Sequence, residues 1–420
     1  MKRFLSDAVF TTVSQIVVAL VAIGIQVYVV RTVSLSEYGQ YATVQAFVLF
    51  VEAVFVGRGG EVALQYIGKC WHVDMPRAFW YRSKLLRMDM KANVIIYAIT
   101  ILVGVIFGSF INLNLEWLII LALTIPAQIG YGVWKSVFIV DGRLKQQASF
   151  EICYTLILGI SVFLLINLAG IAGLLIALVL ASFLKTMLAR MITQHYWPRN
   201  LVAVPPSNNE SESGNQFRNA NVHAIVRNSF MNGALQGDLL LINALRGPEA
   251  VALYKVAKTI AAIPIRVVVP IWVVLRPRII SAMREQSFNR LRRLLIFPAV
   301  IFAFIGLLFV WPMLNYGESL IVSIFGDQYS AATPLAYWLI IGTWCFGAIT
   351  GWLNFACVIT TRKLVGSMIY LLWFAGVVVG GMFWGKSSVE SMAMVVAASM
   401  VAAAFVGWIY FLRESSWIED

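Results

Sequence analysis

The chain has 420 residues, 60% of them apolar and only 12% charged, with a formal charge of +12. A soluble protein carries about a quarter charged residues, so this composition excludes a soluble enzyme and a disordered scaffold. Apolar runs of about 20 residues recur from end to end, each long enough to cross ~30 Å of hydrocarbon, and they predict an all-α polytopic membrane protein.

Helices rather than strands are expected, because an open chain in lipid satisfies its backbone only as helix and the runs do not alternate as barrel strands would. Twelve spans are read in chain order. The first, 8–30, carries Thr11, Gln15 and Gln26 on one face and is expected to be retained, since no small-residue cleavage site ends it. The second, 39–57, is short and holds Glu52, with Arg58 at its inner end among glycines. A basic inner segment, 58–91, follows, in which Arg77–Lys84 mixes basic and aromatic residues as an interfacial helix does. The third and fourth spans are 92–112 and 116–139. On the fourth, Gln128, Tyr131 and Lys135 share a face, with Lys135 near its inner end. The fifth and sixth are 147–167 and 170–189.

A hydrophilic stretch, 194–223, then reads as a solvated linker. It divides the chain into an N-terminal six-helix bundle (1–193) and a C-terminal one (224–413) with a short tail, 414–420; a central cavity is expected between the bundles. The seventh span, 224–245, is polar, with Arg227 near its inner end, Asn228, Asn232, Gln236, Asp238 and Asn243. The eighth, 250–275, is followed by 294–314 and by 334–358, on which Thr343, Thr350 and Asn354 share a face. The last two are 365–385 and 389–411.

With the amino terminus inside, inner segments hold 23 Lys and Arg, outer loops hold three (Arg31, Arg246 and Lys386), and six lie within spans. This is the positive-inside asymmetry, and it predicts a multi-pass bacterial inner-membrane protein with both termini cytoplasmic. The surplus of positive charge is accounted for by topology and anionic lipid headgroups rather than nucleic acid. Cys70, Cys153, Cys345 and Cys357 show neither a disulfide frame nor metal-ligand spacing. No cofactor or metal is expected.

Charged residues inside a membrane are costly and mark functional paths. The eighth span carries Lys255, Lys258 and Arg266, which fall within ~80° of one helix face over about 16 Å. A guanidinium grips phosphate bidentately, which favours Arg266. Depth counted from the turn near 247 puts Asp238 level with about residue 256, so Asp238 is expected to pair with Lys255 or Lys258. Glu52 with Arg58 is a like pair. Either acid is a candidate for coupling to H+ or Na+, as is the membrane potential for the transport itself.

The two halves share orientation, and a weak internal match accompanies this. Leu35-Ser36-Glu37-Tyr38-Gly39-Gln40-Tyr41 follows the first span, and Gly247-Pro248-Glu249-Ala250-Val251-Ala252-Leu253-Tyr254 follows the seventh. Together with Ile324-Phe325-Gly326-Asp327-Gln328-Tyr329 and Arg276-Pro277-Arg278, these motifs resemble the Wzx-type polysaccharide flippases. Those belong to the multidrug/oligosaccharidyl-lipid/polysaccharide exporter superfamily, with the MATE exporters and MurJ. The resemblance spans residues 5–412 and implies a MATE-like fold. It also implies export of an undecaprenyl-pyrophosphate-linked oligosaccharide, such as an O-antigen unit of lipopolysaccharide, from the inner to the outer leaflet by alternating access.

On that reading the cavity cations are Arg266, Lys258, Lys255, Arg58, Arg31, Lys135 and Arg227. Gln15, Gln26, Gln128, Tyr131, Asn232, Thr350 and Asn354 line it, and Asp238 and Glu52 serve coupling or ion pairing. The expected partners are the polyprenyl-pyrophosphate-linked glycan, membrane lipids and polysaccharide-assembly polymerases. One rival reading, a MATE-type exporter of organic cations, calls for cavity carboxylates, yet basic residues outnumber Glu52, Glu151 and Asp238 within the spans. The other, a polysaccharide polymerase or ligase, calls for catalytic Arg or His in a large outer loop. The longest outer loop read here, 315–333, has neither, and His72, His195 and His223 fall on the inner side. The chain is therefore expected not to be an enzyme.

Overall fold

The computed structural model describes residues 2–55, 59–71, 73–197, 202–205, 211–268, 279, 288–351, 353 and 363–413. Among them every regular element is helical. α1 (Lys2–Thr32) turns directly into α2 (Leu35–Phe55). The turn is closed by a reciprocal cap, in which the Glu37 carboxylate accepts from the Ser34 N–H at 3.0 Å and its hydroxyl at 2.7 Å, while the Glu37 N–H donates back to Ser34 Oγ at 3.3 Å.

The basic inner segment is helical well beyond the expected interfacial stretch 77–84. α3 (Gly59–Cys70) precedes α4 (Met75–Phe107), which runs unbroken from the charged stretch into the third span. Asp74 caps α4 by accepting the Arg77 N–H at 3.1 Å, and Pro76 occupies its first turn. Lys and Arg are good helix formers, so a charged end does not stop a helix; it carries the helix out of the hydrocarbon into water. Ala63, Tyr66 and Ile67 on α3 pack on Ala78, Tyr81 and Leu85 of α4 in one apolar cluster.

The fourth span is the one most changed from expectation. It is divided into α5 (Leu115–Ala122), α6 (Thr124–Ala127) and α7 (Tyr131–Val140), with Gly130 at φ 79° between the last two. A Cβ at Gly130 would also lie 2.6 Å from Leu86. The N–H released at this break donates to Asp89 of α4 at 2.5 Å. Broken backbone in a membrane survives only where such a partner takes up the freed group.

α8 (Leu144–Gln194) holds the fifth and sixth spans, and 51 residues of straight helix would extend about 77 Å. Instead Ala169 (φ −139°, ψ 18°) and Gly170 (φ 57°, ψ −137°) leave helical geometry, and a Cβ on Gly173 would sit 1.9 Å from the Leu165 carbonyl oxygen. The chain doubles back there, at the boundary read from the sequence.

α9 (Ser211–Arg246) begins inside the stretch read as linker. α10 (Pro248–Ala261) follows through Gly247, at φ 83°, and helix resumes over 263–268. α11 (Phe288–Phe325) extends far beyond the expected end at 314, so most of the outer loop 315–333 is helix, completed by a 3-10 turn, Asp327–Ala332. The tenth span starts as α12 (Thr333–Thr343) and loosens into a π-helical turn, Trp344–Thr350. α13 (Lys363–Phe383) and α14 (Val389–Arg413) end the described chain.

Seven of these segments are long and apolar enough to cross a membrane on composition alone. α9 and α10 are not among them, and they carry Asp238, Lys255 and Lys258. Their polar groups need protein partners.

Two compact units result: Met1–Gln26 with Phe47–Ser229, and Val27–Ala46 with Phe230–Asp420. Residues 27–46, where α1 ends and α2 begins, thus group with the second unit. There a Cβ on Gly39 would lie 1.7 Å from the Pro248 carbonyl oxygen. The two segments that match each other in sequence meet at this point, and the glycine is what lets the backbones approach.

Candidate functional site: two buried carboxylate clusters

In the second unit Asp238 on α9 is 1% exposed, and α10 returns beside it through the turn at Gly247. Tyr254 Oη donates to Asp238 Oδ2 at 2.9 Å, and the Leu239 N–H donates to Oδ1 at 2.8 Å. Lys258 Nζ reaches the two carboxylate oxygens at 2.9 and 2.7 Å and donates as well to the Leu235 carbonyl. An ammonium has three donors, and all three are therefore used. Of the two lysines expected to compete for Asp238, the structure selects Lys258.

Lys255, one turn earlier, instead donates to Gln45 Oε1 at 3.3 Å, and Gln45 Nε2 donates to Tyr41 Oη at 3.1 Å. Backbone bonds from Ala262 N–H to Lys258 and from Arg266 N–H to Ala262, at 3.1 and 3.2 Å, carry the helical register past residue 262. They keep half-buried Arg266 within ~80° of Lys258 around the axis. Among the described residues the Arg266 guanidinium has no partner, and Lys255 has only Gln45.

In the first unit the corresponding acid is Glu151, near the start of α8. Its Oε1 accepts from Tyr131 Oη at 2.8 Å and from Lys135 Nζ at 2.9 Å, both on α7, while Lys185 Nζ lies 3.5 Å from Oε2. Lys185 is further held over the rings of Tyr131 and Tyr154, at 4.4 and 4.3 Å from their centroids. Lys185 was absent from the residues singled out by sequence. The depth count that joined Asp238 to α10 also applies at the 169–170 turn, where it sets Glu151 level with about residue 187.

Other expected site residues have different settings. Arg31 donates to the carbonyls of Ser323 and Ile324, the latter at 2.9 Å, and so caps the C-terminal turn of α11. A cation is favourable against those unpaired carbonyls, which gives Arg31 a structural occupation in place of an expected cavity position. The stripe Gln128, Tyr131, Lys135 assumed unbroken helix; the turn at Gly130 detaches half-buried Gln128, while Tyr131 and Lys135 stay together on α7. Thr350 is fully buried and its hydroxyl donates to the Cys345 carbonyl within the π turn at 3.0 Å, a turn that also shifts the register of its expected face. Gln15, Gln26, Glu52, Arg227 and Asn232 are half-buried. Arg58 and Asn354 lie outside the described residues.

Each unit thus holds a buried carboxylate clamped by lysine and tyrosine, on helices broken at defined points. The whole-chain fold has known counterparts. It matches an inward-facing multidrug resistance MATE family transporter of the MOP superfamily with TM-score 0.73 at 14% identity, covering 98% of this chain and 99% of that one. A Vibrio cholerae MATE transporter, VcmN, in an aspartate-to-asparagine form, matches with TM-score 0.72 at 12% identity, over 98% and 97%. A MOP superfamily transporter from Pyrococcus furiosus, described as having a binding pocket of reverse polarity that suggests a different function, matches with TM-score 0.70 at 12% identity, over 99% and 96%.

At such identities the likeness defines the fold, a MATE/MOP-type helical membrane protein. Residues 4–283 match the model of the polysaccharide biosynthesis protein family, and the chain belongs to that family. No curated protein matches it by sequence.

Proposed function

We propose that this MOP-superfamily transporter is a flippase, carrying a glycan on a polyprenyl pyrophosphate from the inner to the outer leaflet of a bacterial inner membrane. The observation that carries this reading is the surplus of cations at both buried acids. Glu151 faces Lys135 and Lys185, and Asp238 faces Lys258 with Lys255 and Arg266 beside it on the same helix. An exporter of organic cations needs carboxylates that can receive the cargo, yet these two are already occupied by lysine and tyrosine. A pyrophosphate head, by contrast, supplies the negative charge that the remaining cations lack. Arg266 and Lys255 are the ligands of choice in the second unit and Lys135 in the first, while Lys258 is held in reserve by Asp238.

A coupling ion taken up at Asp238 would release Lys258, which gives one route by which an ion gradient acts on the cargo. The inside-negative potential is a second route, since it favours outward passage of a net negative head by about 2.3 kcal/mol per charge per 100 mV.

The test is complementation of a flippase-deficient strain. Lys255→Gln/Arg266→Gln and Lys135→Gln/Lys185→Gln, at wild-type membrane levels, are each expected to abolish surface polysaccharide. Full activity of both would overturn the anionic-cargo reading, and drug resistance conferred by the wild type would replace it with the MATE-type one.

A further inference from the structure

The described part of α4 holds a second basic feature, separate from both carboxylate clusters. Trp80, Lys84, Arg87, Met88 and Lys91 line a shallow depression of about 350 Å³. At 100° per residue all five fall within ~100° of one face. Buried Tyr81 borders the face at its Met88 edge, and Ala78, Leu85, Asn93, Ile96, Thr100 and Gly104, all buried, lie on the other side. So does Asp89, the acid of this stretch, which is turned inward onto the Gly130 N–H. The basic face is thus turned away from Asp89. The Lys84 ammonium sits 4.6 Å over the Trp80 ring, and Arg87 Nε donates at 3.3 Å to the Ser83 carbonyl of its own helix.

Depth completes the picture. From Ala92 to Phe107 the helix has no charged residue, about 24 Å of rise. The basic face begins where that apolar length ends, on the side that the positive-inside asymmetry assigns to the cytoplasm. An indole at this level is at home among headgroups, and lysines and arginines here place their stems in the apolar edge and their charges in the phosphate layer.

We propose that this face is a binding site for the phosphate headgroup of an anionic phospholipid in the inner leaflet. Arg87 and Lys91 supply charge to the phosphate, Lys84 is steered to it by the Trp80 ring, and Met88 with the indole covers the first methylenes of the acyl chains. The occupant is a bilayer lipid rather than transported cargo, because the face lies opposite the buried side of α4, with Arg87, Met88 and Lys91 exposed at headgroup depth. A bound lipid there would also steady α4, whose Asp89 holds the broken fourth span.

The experiment is native mass spectrometry of the purified full-length protein titrated with phosphatidylglycerol or with phosphatidylcholine. Wild type is expected to retain phosphatidylglycerol preferentially, and Lys84→Gln/Arg87→Gln to lose about fivefold of that preference per removed charge. Arg292→Gln/Arg293→Gln removes the same charge from exposed positions on α11 and is expected to change it little. An equal loss in both double variants would make the effect one of net charge and overturn the site, as would no loss in the first. Displacement of the lipid by inorganic phosphate would reassign the face to a free anion. A dimer lost on substitution, with no lipid preference, would reassign it to a second copy of the chain.

Discussion

Glu151 and Asp238 are both acids buried in membrane helices, each receives a tyrosine hydroxyl, and each is paired with lysine, but their surroundings differ in openness. Asp238 has a side-chain exposure of 1% against 20% for Lys258, whereas Glu151 stands at 12% against 40% for Lys135. Lys258 spends every donor on α9 and cannot leave without uncovering a dry carboxylate. Lys135 can swing toward water or a ligand while Lys185 and Tyr131 keep Glu151 satisfied. Residue type thus does not distinguish a lock from a receptive cation; the number of alternative partners and the depth of the acid do. In each unit one lysine is held by its acid and at least one further cation is left for an anion.

The sharpest way to break this comparison is to neutralise both acids in parallel. Asp238→Asn strands Lys258 in a nearly dry site, and removing one member of a buried pair costs about 3–5 kcal/mol. Glu151→Gln is expected to cost less, about 1–3 kcal/mol, because Lys135 reaches water and the amide still accepts the Tyr131 hydroxyl. Thermal midpoints in detergent read the difference, and Asp238→Asn/Lys258→Gln should recover part of the loss. Equal destabilisation by the two single variants would erase the distinction.

Much of this arrangement was readable before any coordinates. Lys255 and Lys258 on a polar helix, and the pairing of Asp238 across the turn near 247, follow from hydropathy and from counting depth in a hairpin, because both depend only on local geometry. The turns read at 31–38, 168–169 and 246–249 came in the same way, and the observed ones at 32–35, 169–170 and 246–248 fall in or beside them. What escaped depended on backbone breaks or on distant partners. Gly130 ends a helix that apolar composition would continue, so Gln128 was joined to a face it does not share. The π turn at 344–350 does the same to Thr350. Arg31 meets carbonyls almost three hundred residues away, and no periodicity encodes that. Lys185 is legible by the rule that joins Asp238 to α10, since counting depth from the 169–170 turn sets it beside Glu151.

A smaller effect tests how the second unit keeps its cluster closed. Gly39→Ala would place a methyl 1.7 Å from the Pro248 carbonyl oxygen, and α2 and α10 must separate to accept it. Overpacking of this kind costs about 1–3 kcal/mol. It also stretches the Lys255–Gln45 bond, which spans the same two helices. Gly24→Ala is the control: nothing lies within 4 Å of a Cβ there, and alanine in a helix interior is favoured over glycine by up to about 1 kcal/mol. The two substitutions should therefore move the thermal midpoint in opposite directions. A neutral Gly39→Ala would show that close approach at Pro248 does not hold the pair together.

The smallest expected effect concerns the cap that starts α2. Ser34→Ala removes a side chain whose loss at such a position costs about 1 kcal/mol, and its pH dependence gives a sign that packing alone would not. Hydrogen bonds from the Ser34 hydroxyl, and then from its backbone N–H, hold the Glu37 carboxyl below its ordinary range. A depressed acid favours the folded state above its unfolded pKa, and that contribution is lost as pH falls through the depressed value. Wild type should thus lose more stability than Ser34→Ala between about pH 5 and 3, and the gap between their thermal midpoints should narrow on acidification. Because Glu37 is exposed and Asp238 is not, a gap that instead widens in acid would mean that the cap governs the buried cluster, through Tyr41 and Gln45 on the same helix, rather than the helix start alone.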